Sequence, residues 1–148
     1  MAIGPKVEAD LKTALKARDE LAISCLRLVR AALKNKEKEL RRELSEAEEL
    51  QVLNTLAKQR REAAEQFRQG GRAELAEKEE RELALIQGYL PEQLDQAGIE
   101  KVLDQVFAEL TPQGMKDMGR VMKAAMTRLQ GQADGKLVNQ LVRKRLGA

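Results

Sequence analysis

Basic side chains are concentrated in the last part of the chain, and the chemistry open to them is the binding of anions. From Lys116 to Ala148 there are eight basic and two acidic residues, so this stretch carries +6 while the whole chain carries +3. The remainder of the chain must therefore carry −3. Such an imbalance favours polyanions, because each bound phosphate releases condensed counterions. The alternative is a basic face that only keeps the protein soluble.

Two consecutive helices are predicted to position these cations. In the first, Asp117 is the expected N-cap, since its carboxylate can accept hydrogen bonds from the N–H groups of the first turn. One apolar stripe then follows at helical spacing, made of Met118, Val121, Met122, Ala125 and Leu129. At ~100° per residue, Lys116, Arg120 and Lys123 fall roughly opposite that stripe.

The second of these helices follows after a short turn. Gly131 is placed to end the first helix in a left-handed conformation, and Asp134 is placed to cap the second. The side chains predicted to face inward are Leu137, Val138, Leu141 and Val142. The outer face carries Lys136, Asn139, Gln140 and Arg143. Both helices therefore turn apolar side chains inward and leave lysine and arginine outside.

The residue types that serve most other chemistry are scarce. The chain has no histidine and one cysteine, which excludes zinc sites and imidazole catalysis within it. Cys25 lies on an apolar helical stripe and is predicted to be a small core side chain. No strand is followed by a glycine-rich phosphate loop, so we expect neither a built-in nucleotide site nor a bound cofactor.

The composition predicts an all-α protein. Of the 148 residues, 43% are hydrophobic, 34% are charged and only 2% are aromatic. This composition is typical of helices rich in Leu, Ala, Glu, Lys and Arg, and it includes few of the residues that favour sheets. No stretch resembles a membrane span or a cleavable signal, so we expect a cytoplasmic protein with no membrane partner.

Residues 1–90 are predicted to form an N-terminal helical domain, an antiparallel bundle or long hairpin of four helices joined by short turns. Asp19 is expected to cap the second helix, and Ser45 with Glu48 to form a capping box at the start of the third. Gly70 and Gly71 are expected to end the third helix.

Side-chain directions within this domain are also predicted. Leu15 of the first helix and Leu75 of the fourth are among the residues expected to face inward. The KQRRE run at 58–62 is interpreted as the solvent side of a charged helix and not as a binding motif.

Residues 95–148 are predicted to form a small three-helix C-terminal domain, after a linker at 91–94. Pro91 breaks the preceding helix, and Asp95 is expected to cap the following one. That helix has a strong apolar stripe, made of Ile99, Val102, Leu103, Val106, Phe107 and Leu110. A core of this size is marginal alone, so we expect support from the bundle or from a partner.

Six motifs, in their order and spacing, closely resemble the YqeY family. This family is the free-standing form of the tail domain at the end of the B subunit of the glutamine-dependent aspartyl/glutamyl-tRNA amidotransferase. The motifs are RLVRAALKN (27–35), KQRREAAEQF (58–67), GRAEL (71–75), YLPEQL (89–94), DMGRVM (117–122) and GQADGKLVNQLV (131–142). The resemblance covers nearly the whole chain, and it implies a helical N-terminal domain joined to a tail that, in the amidotransferase, helps to hold tRNA.

The resemblance also assigns expected roles to individual residues. The residues expected to face phosphate are Lys116, Arg120, Lys123, Lys136, Arg143 and Lys144. Gly119 is expected to let helices approach closely. Such local packing would be the same with or without a role of Gly119 in RNA binding. Gly131, Asp134 and Gly135 are expected to fix the turn between the last two helices.

Two functions from different classes fit these observations. One is an accessory module that binds tRNA or another structured RNA through its phosphates, since Phe67, Phe107 and Tyr89 are not expected to offer stacking platforms. The other is a protein-interaction module, or a subunit that assists an amidotransferase in trans.

Catalysis by the isolated chain is the third possibility. Members of the family often carry the label of carbon–nitrogen ligase with glutamine as amide donor. The sequence offers no site for phosphoryl transfer from ATP, no glutaminase nucleophile and no route for ammonia, so we do not expect this activity from the chain alone.

Overall fold

The computed structural model describes residues 3–147, and these contain helices and no strand. The helices are α1 Ile3–Ala17, α2 Glu20–Leu40, α3 Glu46–Gln69, α4 Ala73–Gln87, α5 Gln96–Leu110, α6 Met118–Leu129 and α7 Gly135–Arg145. A short 3-10 turn, Met115–Asp117, precedes α6. The prediction of an all-α protein is confirmed. None of the described helices combines the length and the apolar character that a membrane span needs.

The chain divides into two compact units after Leu90. In the first unit α1 packs against α2 and α3 against α4, while α2 also contacts both α3 and α4. Its core includes Val7, Val29, Leu53 and Ile86, all of them nearly inaccessible to solvent. The predicted cap at Asp19 is confirmed, because its Oδ1 accepts a hydrogen bond from the N–H of Ala22 at 3.2 Å.

Cys25 is buried in the core of the first unit, as predicted. Burial raises the pKa of its thiol to about 11, and the nearby charge of Glu82 adds to this shift. The thiol is therefore kept protonated at neutral pH, in keeping with a packing role.

Two leucines that were expected to face inward do not. Leu15 is 45% exposed and Leu75 is 39% exposed. Their neighbours Ala14 and Ala76, which were also expected to face inward, are buried, at 7% and 0% exposed. The buried stripes of α1 and α4 are thus narrower than predicted, because they exclude these two leucines.

The interpretation of residues 58–62 as solvent-exposed is wrong for Arg60. Its Nε lies 2.9 Å from Oε2 of Glu82 and 3.5 Å from Oε2 of Glu79, both on α4. The side chains of Arg60 and Glu82 are 15% and 6% exposed. Because the Nε is not aligned for a hydrogen bond, the attraction is mainly between the charges. This ion pair ties α3 to α4 in a place where little water reaches it.

The predicted capping box at the start of α3 is confirmed. Oγ of Ser45 accepts from the N–H of Glu48 at 3.2 Å, and Oε1 of Glu48 accepts from the N–H of Ser45 at 2.9 Å. Arg42 donates two further hydrogen bonds to the same carboxylate, at 2.6 and 2.7 Å. The bonds from Arg42, followed by that from the N–H of Ser45, lower the pKa of Glu48 to about 2.

We expect Glu48→Gln to destabilise the protein at neutral pH and to have less effect as the pH falls. The folded-state pKa of Glu48 lies below its ordinary value of 4.5, so its carboxylate adds stability above pH 4.5 that is lost toward pH 2. Glutamine can keep the hydrogen bond to Ser45. Urea unfolding at about pH 7 and about pH 2.5 measures the change, with Glu62→Gln as the exposed control. Equal destabilisation at both pH values would contradict this linkage.

The segment predicted as a linker, 91–94, lies against the turn between α6 and α7. Nε2 of Gln93 donates to the carbonyl of Gly131 at 2.6 Å, and the N–H of Leu94 donates to the carbonyl of Gln132 at 2.8 Å. Leu94 also packs on the core of the second unit. Through these contacts the segment belongs to the second unit.

Candidate nucleic-acid interface

The second unit turns its apolar stripes inward and its cations outward. Its buried residues are Ile99, Leu103 and Val106 of α5, Val121, Ala125 and Leu129 of α6, and Val138, Leu141 and Val142 of α7. The six residues expected to face phosphate, here called the tail cations, are all exposed: Lys116, Arg120, Lys123, Lys136, Arg143 and Lys144. Helical periodicity therefore places each of them where a ligand can reach it.

Most tail cations are not neutralised by neighbouring carboxylates. Among the described residues, five of the six have no ion pair within 4.0 Å. The exception is Arg120, whose Nη2 lies 3.4 Å from Oδ1 of Asp117 and donates to the carbonyl of Leu110 at 3.2 Å. Arg120 thus also links the start of α6 to the end of α5, and half of its side chain stays exposed.

The acidic residues of α5 pair with two other arginines. Nη atoms of Arg145 lie 2.7 Å from Oε2 of Glu100 and 2.8 Å from Oδ1 of Asp104. Arg128, on α6, pairs with Glu109, which is also on α5. Arg128 and Arg145 were not among the predicted phosphate ligands. In the structure Arg128 links α6 to α5, and Arg145 links α7 to α5. The ion pairs of these three α5 carboxylates are therefore made with arginines other than the tail cations.

The tail cations are distributed along the unit and do not converge in one pocket. Arg120 and Lys123 line a shallow groove of about 380 Å³ between α5 and α6, together with Leu110, Ala124, Thr127 and Arg128. Lys144 lines another groove, beside α5. Lys136 and Arg143 lie about two turns apart on the outer side of α7. This spread suits an extended polyanion better than a small anion, which would need several cations at one point.

Two of the three aromatic side chains, Phe107 and Tyr89, are held in packing contacts. The guanidinium of Arg145 lies over the ring of Phe107, 5.4 Å from its centroid. In the first unit the hydroxyl of Tyr89 donates to Asp10, and Lys6 lies 5.3 Å from the centre of the ring. Burial raises the pKa of Tyr89, and the hydrogen bond to Asp10 raises it further. Phe107 and Tyr89 are thus both engaged by side chains of their own units.

Asp117 does not cap α6, contrary to the prediction. Its backbone is already helical, with φ −93° and ψ 5°, and its side chain makes no capping hydrogen bond. Oδ2 of Asp117 accepts instead from the N–H of Gln113 at 2.8 Å. Because the chain enters α6 through a 3-10 turn, this carboxylate points back toward the preceding loop.

The turn between α6 and α7 contains both features expected there. Gly131 is left-handed, with φ 81°, although the capping residue of α6 is Gln130, which is itself left-handed with φ 37°. Oδ1 of Asp134 accepts from the N–H of Lys136 at 3.2 Å and caps α7, as predicted. A β-carbon at Gly135 would lie 3.7 Å from Met126, an ordinary contact. Steric crowding therefore does not require glycine at 135.

The prediction that Gly119 lets helices approach closely is wrong. This residue is exposed, and a β-carbon added there would meet no atom within 4 Å. Gly119 lies in the first turn of α6, between the exposed Lys116 and Lys123.

We expect Gly119→Ala and Gly131→Ala to change stability in opposite directions. Alanine at 119 should stabilise the protein by roughly 0.5 kcal/mol, because it restricts the unfolded chain and costs no contact. Alanine at 131 should destabilise it by roughly 1 kcal/mol, because the left-handed backbone strains a β-carbon. Urea unfolding of the two variants gives the comparison, and a stabilising Gly131→Ala would contradict it.

In the part of the chain that the structure describes, no three His, Cys, Asp or Glu side chains form a group that could hold a metal ion. The residues predicted to face phosphate are exposed lysine and arginine side chains.

Comparison with known proteins adds to this geometry. The family model described as Yqey-like protein matches residues 5–146. Altered inheritance of mitochondria protein 41, mitochondrial, from Pyrenophora tritici-repentis is 26% identical over 147 residues, which cover 97% of this chain and 81% of that protein. The protein of the same name from Vanderwaltozyma polyspora is 31% identical over 120 residues, covering 76% and 64%.

A different kind of relative matches a shorter segment. One subunit of the glutamyl-tRNA(Gln) amidotransferase from Thermococcus sibiricus is 44% identical over 57 residues, 36% of this chain. The matched segment is 9% of the length of that relative. The similarity therefore concerns a small part of a larger protein.

Proposed function

Because this chain belongs to the YqeY-like protein family, we propose that it is an accessory RNA-binding module whose tail cations contact the phosphates of tRNA or another structured RNA. The observation that carries the proposal is the state of these side chains. All six are exposed, and five have no ion pair among the described residues, whereas Arg128 and Arg145 are paired with α5. Similarity to part of a glutamyl-tRNA(Gln) amidotransferase supports tRNA as the RNA.

Binding of this kind depends on charge and shape. Lysine and arginine on two helices and the preceding turn can follow a phosphate backbone, whereas contacts to the edges of bases would be needed to distinguish sequences. We therefore propose that the affinity depends little on the sequence of the RNA and more strongly on the fold of the RNA. Chemistry on the RNA is not part of the proposal, and neither is a cofactor.

The cell compartment enters the proposal only as a prediction. A cytoplasmic location follows from the sequence analysis, while the two fungal relatives have the word mitochondrial in their names. RNA binding by the tail cations would be the same physical process in either compartment.

Salt dependence tests the proposal. With about three to five phosphate contacts, raising the salt concentration from about 50 to about 200 mM should weaken tRNA binding by roughly one and a half to three decades. Anisotropy of fluorescently labelled tRNA, titrated with the full chain at several salt concentrations, gives the affinity. A dissociation constant that stays flat over this range would exclude phosphate contact as the basis of binding.

A further inference from the structure

The turn between α1 and α2 carries an apolar groove that is separate from the tail cations. Leu15 and Leu28, at 45% and 48%, are the most exposed large hydrophobic side chains of the described residues. Both line one groove of about 580 Å³, together with Glu20, Ile23, Ser24 and Arg27. Neither leucine belongs to the core of the first unit. Exposed apolar side chains that share a concave site are typical of interaction surfaces.

Basic side chains continue from this groove along the outer face of α2. Four of them are exposed and have no ion pair within 4.0 Å among the described residues: Arg27, Lys34, Lys38 and Arg41. Arg27, Lys34 and Lys38 fall within an arc of roughly 40° on the helix, over a length of about 17 Å, and Arg41 follows at its C-cap. Other cations of this region are paired, as Arg30–Glu8, Lys36–Glu39 and Arg42–Glu48. The outer face of α2 thus joins an apolar groove to a row of unneutralised cations.

We propose that this face docks a helical segment of a partner protein, with apolar side chains in the groove and acidic side chains along the row of cations. The groove supplies the apolar contact of a helix-in-groove interaction. The four cations fix the sign of the partner's charge and the direction in which its segment runs away from the groove. About three turns of helix would match the length from Arg27 to Lys38.

The exposed leucines and the row of cations together distinguish this face from a surface that binds RNA. A phosphate backbone would pair with Lys34 and Lys38 but would leave Leu15 and Leu28 in water. Glu20, at the edge of the groove, would also repel it. An acidic amphipathic helix satisfies the apolar and the basic parts of the surface at once.

Selection of peptides on the full chain tests this docking surface. The probe is a phage-displayed library of randomised 16-residue helical peptides. The enriched peptides should combine leucine, isoleucine or methionine at i, i+3 or i+4, and i+7 with a net negative charge. The best of them, made synthetically, should bind the double variant Leu15→Ser/Leu28→Ser at least tenfold more weakly than the unaltered chain. The double variant Lys34→Glu/Lys38→Glu should lose affinity by a similar factor.

Matched variants control for general effects of the substitutions. Leu75→Ser removes another exposed leucine, and Lys78→Glu reverses another exposed lysine, both away from the groove. Each should change peptide affinity by less than twofold. Because all the altered side chains are exposed, the fold should persist, and circular dichroism with thermal unfolding verifies this for each variant.

Several results would overturn the docking surface. One is that no peptide is enriched on the unaltered chain relative to selection on Leu15→Ser/Leu28→Ser. Another is that the enriched peptides are basic. A dimer of the unaltered chain that Leu15→Ser/Leu28→Ser dissociates in sedimentation would assign the face to a second copy of this chain. A tenfold loss of tRNA affinity in Lys34→Glu/Lys38→Glu would assign the cations to RNA. Apart from the tRNA measurement, none of these results depends on whether the tail cations bind RNA.

Discussion

Reversing the charge of Lys123, Arg143 and Lys144 to glutamate is expected to weaken tRNA binding by at least about two decades at 0.15 M salt, if each side chain meets one phosphate. The three residues lie on two helices and have no ion pair among the described residues, so the substitutions should leave intramolecular contacts intact. Each lost contact should also lower the slope of log affinity against log salt by about one. Anisotropy titrations at several salt concentrations measure both quantities.

A matched triple variant separates a local contact from the effect of net charge. Lys12, Lys16 and Lys78 are exposed lysines of the first unit with no ion pair among the described residues. Changing these three to glutamate alters the total charge equally, yet should reduce tRNA affinity by less than about threefold. Equal losses in the two triple variants would show that binding follows net charge and not the tail cations.

Replacing Arg60 by leucine is expected to destabilise the first unit by about 3–5 kcal/mol, because the change leaves the buried Glu82 carboxylate without its cation. Arg60 and Glu82 are 15% and 6% exposed and lie 2.9 Å apart. The chain has one tyrosine and no tryptophan. Tyr89 fluorescence during urea unfolding therefore reports on the first unit alone.

Two further variants identify the cause of this loss. In Arg60→Leu/Glu82→Leu only the carboxylate of Glu79, which is 21% exposed, is left without its cation. Part of the lost stability should therefore return, since a buried ion pair is often no better than apolar side chains of similar volume. Arg61→Leu changes the exposed neighbour and should alter stability by less than about 0.5 kcal/mol. A double variant that is less stable than Arg60→Leu would show that the loss comes from packing and not from the unpaired charge.

Features that depend on neighbouring residues could be predicted from the sequence. The caps at Asp19, Ser45, Asp95 and Asp134 each use a side chain and a backbone N–H two or three residues apart. Hydrophobic periodicity likewise placed Arg120, Lys123, Lys136 and Arg143 on the outer faces of their helices. Such patterns specify a helix and its direction of burial before any tertiary contact forms.

Features that depend on distant parts of the chain could not be predicted in this way. Arg60 is held by Glu82, and Arg145 by Glu100, 45 residues away in sequence. Nothing in a local pattern distinguishes these arginines from the exposed Arg143. The exposure of Leu15 has the same origin, because the packing of α1 in the core decides whether Leu15 is buried together with Ala14. The Asp117 cap failed because the preceding loop provides a competing N–H at Gln113.

Lysine footprinting tests most directly whether the tail holds RNA. The full chain is acetylated with and without saturating tRNA, and the modification of each lysine is measured by mass spectrometry. Lys116, Lys123, Lys136 and Lys144 should be protected by tRNA, each by several-fold, while Lys12 and Lys78 react at unchanged rates. Protection that is equal across both units, or confined to the first unit, would contradict the assignment of RNA binding to the tail cations.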